Sequence, residues 1–94
     1  MEVNLLRIGR VGFHLSVKDR DLTAPPATPA DGDTYIVATG GTGAWGGYDG
    51  RVAVYEAATT SWIFYAPRMG WLAVIEDEVK LSLFTTSWQA GIAL

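Results

Sequence analysis

The sequence predicts an all-β domain, a small sandwich or barrel-like roll of about six to seven short strands. Three observations carry this. Short runs of β-forming residues recur, as in Thr34–Thr39 and Arg51–Glu56, where branched and aromatic side chains suit a pleated, half-buried surface. Proline and glycine clusters separate them, at Pro25, Pro26 and Pro29 and again from Gly40 to Gly50, and such clusters punctuate turns. The chain has 94 residues, the length of one domain and too little for a doubly wound parallel sheet. Residues 1–12 read as an N-terminal arm and residues 13–94 as a single β domain.

Within the arm, Leu5, Leu6 and Ile8 are apolar amid glycines and charges. They are candidates for anchoring to a neighbouring subunit, the alternative being a partly ordered tail. Phe13 to Val17 alternates, with Phe13, Leu15 and Val17 on one face and His14 and Ser16 on the other, the pattern of a half-buried strand. Lys18-Asp19-Arg20-Asp21 reads as a solvated strand end whose local ion pairs are worth little. The prolines that follow exclude helix and central strand and hold the chain extended. Asp31-Gly32-Asp33 is a turn. Its two aspartates lack the spaced oxygen ligands and closing glutamate of a calcium loop.

Thr34 to Thr39 is a strand, and Gly40-Gly41-Thr42-Gly43-Ala44-Trp45-Gly46-Gly47 a glycine-rich loop. Gly41, Gly43 and Gly46 formally match G-x-G-x-x-G. That fingerprint needs a helix to begin at the glycines, and here strand formers from Val52 onward follow instead. Strands are then expected at Arg51–Glu56, Trp62–Tyr65 and Trp71–Ile75, with turns at Ala57–Ser61 and Glu76–Glu78. Val79, Leu81 and Leu83 line one face of the next strand, and Trp88 opens a last, weaker one through Ile92 and Leu94. Thr59-Thr60-Ser61-Trp62 recurs as Thr85-Thr86-Ser87-Trp88, 26 residues later, the spacing that also separates Trp45 from Trp71. The C-terminal half therefore reads as two related hairpins.

The chain carries a net charge of −3, with its seven basic residues scattered, which argues against nucleic acid as a partner. No apolar run reaches membrane-spanning length, and the first residues lack the apolar core and cleavage site of a signal peptide. The product is expected to be cytoplasmic at synthesis. With no cysteine and one histidine, disulfides are ruled out, a structural zinc site nearly so, and no metal or cofactor is expected. A chain this small, without a staple yet 49% hydrophobic, suggests that a partner buries part of its surface.

No catalytic set emerges. His14 has no marked partner, there is no nucleophile elbow, and the acidic residues other than Glu56 sit in turn-like stretches. The domain is expected not to be an enzyme. The informative excess is aromatic: four Trp, four Tyr and three Phe. Trp62 and Trp88 read as core. Trp45, with glycines on both sides, has three open readings: a lid on the core, a plug in a subunit interface, or a platform on which a sugar ring stacks. Tyr48, Asp49 and Arg51 lie close to it in sequence, and Trp71 joins them as a candidate glycan-binding or interface residue.

The ordered blocks Val17–Pro26, Pro29–Val37, Thr42–Gly47 and Phe64–Trp71, reading P-P-x-x-P-x-D-G-D-x-Y, G-A-W-x-G and P-R-x-G-W, resemble a domain of unknown function found in structural proteins of tailed phages, prophages and gene transfer agents. The resemblance spans roughly residues 15 to 90. It implies a virion component: a tail fibre, a fibre-anchoring piece or a capsid decoration protein. Such a component would form an oligomer, expected to be a homotrimer, with other virion proteins as neighbours. The alternative is a carbohydrate-binding module for host attachment, reading a surface polysaccharide.

Overall fold

The computed structural model describes residues 14–94. The arm at residues 1–12, with Leu5, Leu6 and Ile8, lies outside the described residues, as does Phe13. Seven strands follow: β1 (His14–Val17), β2 (Thr34–Ile36), β3 (Val52–Glu56), β4 (Ser61–Tyr65), β5 (Leu72–Ile75), β6 (Lys80–Leu83) and β7 (Ile92–Ala93). They form a four-stranded sheet in the order β1-β5-β6-β7 and a three-stranded sheet in the order β2-β3-β4. All pairings are antiparallel except β1 with β5. The only helical element among the described residues is one 3₁₀ turn, Gly43–Trp45.

The sheets are joined where β1 ends. Past Val17 the chain leaves β5 and runs beside β2, with Lys18 N–H donating to the Thr34 carbonyl and Ile36 N–H to the Asp19 carbonyl. Between the sheets lies a core of Val17, Ile36, Val52, Ala73 and Ile75, flanked by Leu15, Val54, Trp71 and Trp88. Alternation along each strand sends these residues inward.

The three-stranded sheet buries its other face too. Tyr35, Val37, Ala53, Trp62 and Phe64 point away from the first core and meet Trp45. A roof built from residues 22–23 and 38–50 thus covers this sheet. It is clamped by Ala38 N–H to the Leu22 carbonyl, Thr42 N–H to the Thr23 carbonyl and Gly50 N–H to the Val37 carbonyl. Gly41 permits the close fold of the roof, because a Cβ there would stand 2.6 Å from the Trp45 carbonyl oxygen.

Two expectations are corrected. Lys18–Asp21 is not merely a solvated strand end. Lys18 does form an exposed pair with Asp33 at 3.7 Å, but Arg20 folds inward and pairs bidentately with Glu78, at 2.9 and 2.8 Å. Its guanidinium also donates to Ser82 Oγ and to the carbonyls of Gln89 and Ala90. The second correction concerns β6. Val79 lies in the preceding turn at φ 54°, while Leu81 and Leu83 do share one face, the one directed away from the core. The inward residue is Ser82, fully buried opposite Ala73, with its hydroxyl donating to the Gln89 carbonyl at 2.6 Å. Burial is tolerable because every polar valence there is matched.

The repeated Thr-Thr-Ser-Trp motif occupies two connections of different form. The first belongs to the tight turn of the β3–β4 hairpin. The second leads out of β6 and returns through a lone Phe84–Trp88 bridge before β7. The tight hairpins are β3–β4 and β5–β6, each turning through four residues.

Candidate functional site

The residues singled out in the sequence do not form one site. Trp45 is fully buried. Its indole meets Tyr35 at 5.7 Å and Trp62 edge-on at 5.3 Å. Of the three readings it is the lid on the core, and it offers no face on which a sugar could stack. Its Nε1–H is buried without a hydrogen-bond partner among the described residues, a cost the aromatic packing must outweigh.

Tyr48 is exposed but engaged. Phe64 stacks on it at 3.7 Å with the rings nearly parallel, and the Arg51 guanidinium carbon lies 6.0 Å from its ring centroid. Asp49 is a clamp for the roof: its carboxylate accepts from Gly40 N–H at 2.9 Å and Gly41 N–H at 2.8 Å. Those two bonds, Gly40's first, hold its pKa below the usual aspartate value. Trp71 packs against the inter-sheet core and lines a groove of about 350 Å³ with Leu15, Val52, Val54 and Tyr65.

Asp49 and Arg51 do both line a second, larger cleft, of about 540 Å³. Phe84 and Trp88 form one wall, and Thr39, Thr86 and Ser87 add hydroxyls. The two rings are held edge-on at 5.2 Å, and Trp88 Nε1–H donates to the Gly50 carbonyl at 3.1 Å, tying the wall to the roof. Arg20 lines the cleft as well. The hydrogen bond from Arg20 lowers the Glu78 pKa, and the same bond raises that of Arg20, so the pair stays ionised. The cleft thus joins an aromatic wall, a half-buried cation and several hydroxyls, a set that suits a polar, ring-shaped ligand. Trp88 read in sequence as a core residue only. Arg20 gave no sequence signal, because its partners lie 58 to 70 positions away.

Asp19, Asp21 and Asp77 gather their carboxylate oxygens within 4.8 Å of one another at the surface. Asp31 and Asp33 serve turns: Asp31 accepts from Ala57 N–H and Asp33 from Ala30 N–H. Among the described residues, no helix is long and apolar enough to cross a membrane.

The outer face of the four-stranded sheet is a third feature. Register places Leu72 beside Leu83, and Leu81 between Val74 and Ile92. All five point away from the core, and Leu83 and Ile92 are exposed.

Fold and surfaces define a two-sheet all-β domain with a loop roof, an aromatic cleft and an apolar outer face left uncovered among the described residues. The chain belongs to the family described as protein of unknown function (DUF2793), which matches residues 4–89. No curated protein matches it.

Proposed function

We propose that this domain is a structural component of a phage or phage-like particle, a fibre, fibre-anchoring or decoration protein built into the virion. It assembles with copies of itself, as a trimer, and with other particle proteins. The observation that carries this reading is the outer face of Leu72, Val74, Leu81, Leu83 and Ile92. Monomers rarely leave a contiguous apolar patch in water, and such patches mark interaction sites. The sequence blocks that resemble those of phage structural proteins supply the setting, and the arm with Leu5, Leu6 and Ile8 is the proposed anchor. Light scattering on the purified protein tests it. A mass that is a multiple of the trimer is expected, and Leu83→Asp should lose the trimeric contact with the circular dichroism unchanged. A wild type that stays monomeric at high concentration would sink the proposal.

A second reading, a carbohydrate-binding module for host attachment, is favoured by the cleft between Trp88 and Arg51. An indole wall covers the C–H face of a sugar while Arg51 and the Thr39, Thr86 and Ser87 hydroxyls meet its oxygens. Titration with host-envelope polysaccharide, read by tryptophan emission, should saturate in the wild type. It should weaken at least about tenfold in Arg51→Ala with an unchanged unfolding midpoint. Trp45→Phe should bind normally. Undiminished binding by Arg51→Ala would discard the cleft.

A further inference from the structure

The outer edge of β4 is the longest unprotected strand edge among the described residues. β7, at the edge of the other sheet, has two residues, and the β2 edge is taken up by the continuation of β1. β4 is Ser61-Trp62-Ile63-Phe64-Tyr65. It contains no proline, glycine or charge, the devices that blunt natural edges.

The hydrogen-bond pattern shows which backbone groups it offers. On β3, the Arg51 carbonyl and the Tyr55 N–H and carbonyl are directed toward the β2 side. Alternation then turns Val52, Val54 and Glu56 toward β4, where they pair with Tyr65, Ile63 and Ser61. The intervening residues Trp62 and Phe64 therefore aim their N–H and C=O groups outward. No backbone bond among the described residues reaches that side.

This edge is self-complementary. When two β4 strands run antiparallel about a two-fold axis at Ile63, Trp62 of one copy faces Phe64 of the other. Those are the residues whose groups point outward, so both pairs close fully with four hydrogen bonds. Shifting the centre to Trp62 brings Thr60, which sits at φ 47°, into the ladder and breaks it. The Ile63 centre also covers Ile63 itself and lines up Tyr65 with Ser61 across the junction, and both Ile63 and Tyr65 are exposed in the single chain.

We propose that β4 pairs with β4 of a second copy of this chain, centred on Ile63, joining two three-stranded sheets into one of six. The contact is isologous and closes on itself. It is separate from the outer face of the four-stranded sheet and does not depend on it.

The chain has no cysteine, so one introduced thiol reports on the contact. Ile63 occupies the non-hydrogen-bonded central position, where facing Cα atoms lie about 4.5 Å apart, within disulfide reach. Full-length Ile63→Cys should cross-link to a dimer under mild oxidation, with a yield at least about fivefold above that of Tyr65→Cys, which faces Ser61 instead. In the wild type, the Trp62 and Phe64 amides should exchange with deuterium at least about 100-fold more slowly at high protein concentration than on dilution. Ile63→Lys, which sets like charges face to face, should abolish that protection while remaining folded. Equal cross-linking of the two thiol variants would overturn the proposal. So would amides that exchange fast at every concentration. Protected amides in a protein whose Ile63→Cys variant does not cross-link would overturn it too, because another strand would then occupy the edge. A Leu83→Asp, Ile63→Cys double variant separates this inference from the face proposed above: it should still cross-link after the face contact is lost.

Discussion

The two sheets differ in what covers them. The three-stranded sheet is covered on both faces over β2 and β3, by the opposite sheet on one side and by the Trp45 roof on the other, while Ile63 and Tyr65 of β4 stay exposed on the inter-sheet side. The four-stranded sheet buries only the face carrying Val17, Ala73, Ile75 and Ser82. Its outer face carries Leu72, Val74, Leu81, Leu83 and Ile92 beside the polar Ser16 of β1, and has no roof among the described residues. The difference teaches where each sheet gets its stability. The first has its outer face covered within the chain, by the roof around Trp45. The second has an apolar surface that becomes favourable only when something else removes it from water.

The largest expected effect removes the roof's anchor. Trp45→Ala should cost about 3–5 kcal/mol, measured by urea denaturation, because a fully buried indole leaves a large void. Trp45→Phe should cost far less than its volume loss implies, because it also deletes an unpaired buried N–H. A small effect of Trp45→Ala would mean that the roof does not hold the three-stranded sheet.

Next comes the cross-link that holds the two sheets at the cleft. Arg20→Ala should lose about 2–3 kcal/mol, since Glu78, Ser82 and two carbonyls lose their donor together. Acid should act in the same direction. The folded pKa of Glu78 lies below its unfolded value, so its contribution is complete above the ordinary glutamate range and is lost as pH falls through the folded value. Glu78→Gln should flatten the acid limb of a stability-against-pH curve, and an unchanged limb would remove Glu78 from the account.

Gly41→Ala should cost about 1–3 kcal/mol by forcing the roof away from the Trp45 carbonyl. The smallest effect on the single chain belongs to the bare face. Leu83→Asp should change monomer stability by no more than about 0.5 kcal/mol while removing the contact made through this face. A large loss of stability there would mean that the face is already covered within one chain, and the contrast between the sheets would fail.

Much of the fold was legible in the sequence. β3, β4 and β5 were readable from their β-forming runs, and the prolines and glycines marked the breaks between them, because both signals depend on local backbone preference. β2 stopped earlier than its apolar run: Val37 still bonds across to Arg51, but its carbonyl accepts from Gly50 and Ala38 N–H turns to the Leu22 carbonyl, where the roof begins. The candidate site was less legible. Asp49 and Arg51 do share a cleft, but Tyr48, Trp45 and Trp71 were sent elsewhere.

The sequence by itself determined the all-β class, the places where the chain turns and the aromatic excess that fills it, since alternation and turn chemistry act over a few residues. Only the tertiary structure decided the destination of each side chain. The same Thr-Thr-Ser-Trp motif puts Trp62 beneath the roof and Trp88 against the inter-sheet core. Arg20 finds Glu78, and Ser82 rather than Leu81 or Leu83 turns inward. These outcomes depend on which sheet a strand joins and in what register, and a shift of one residue exchanges its faces.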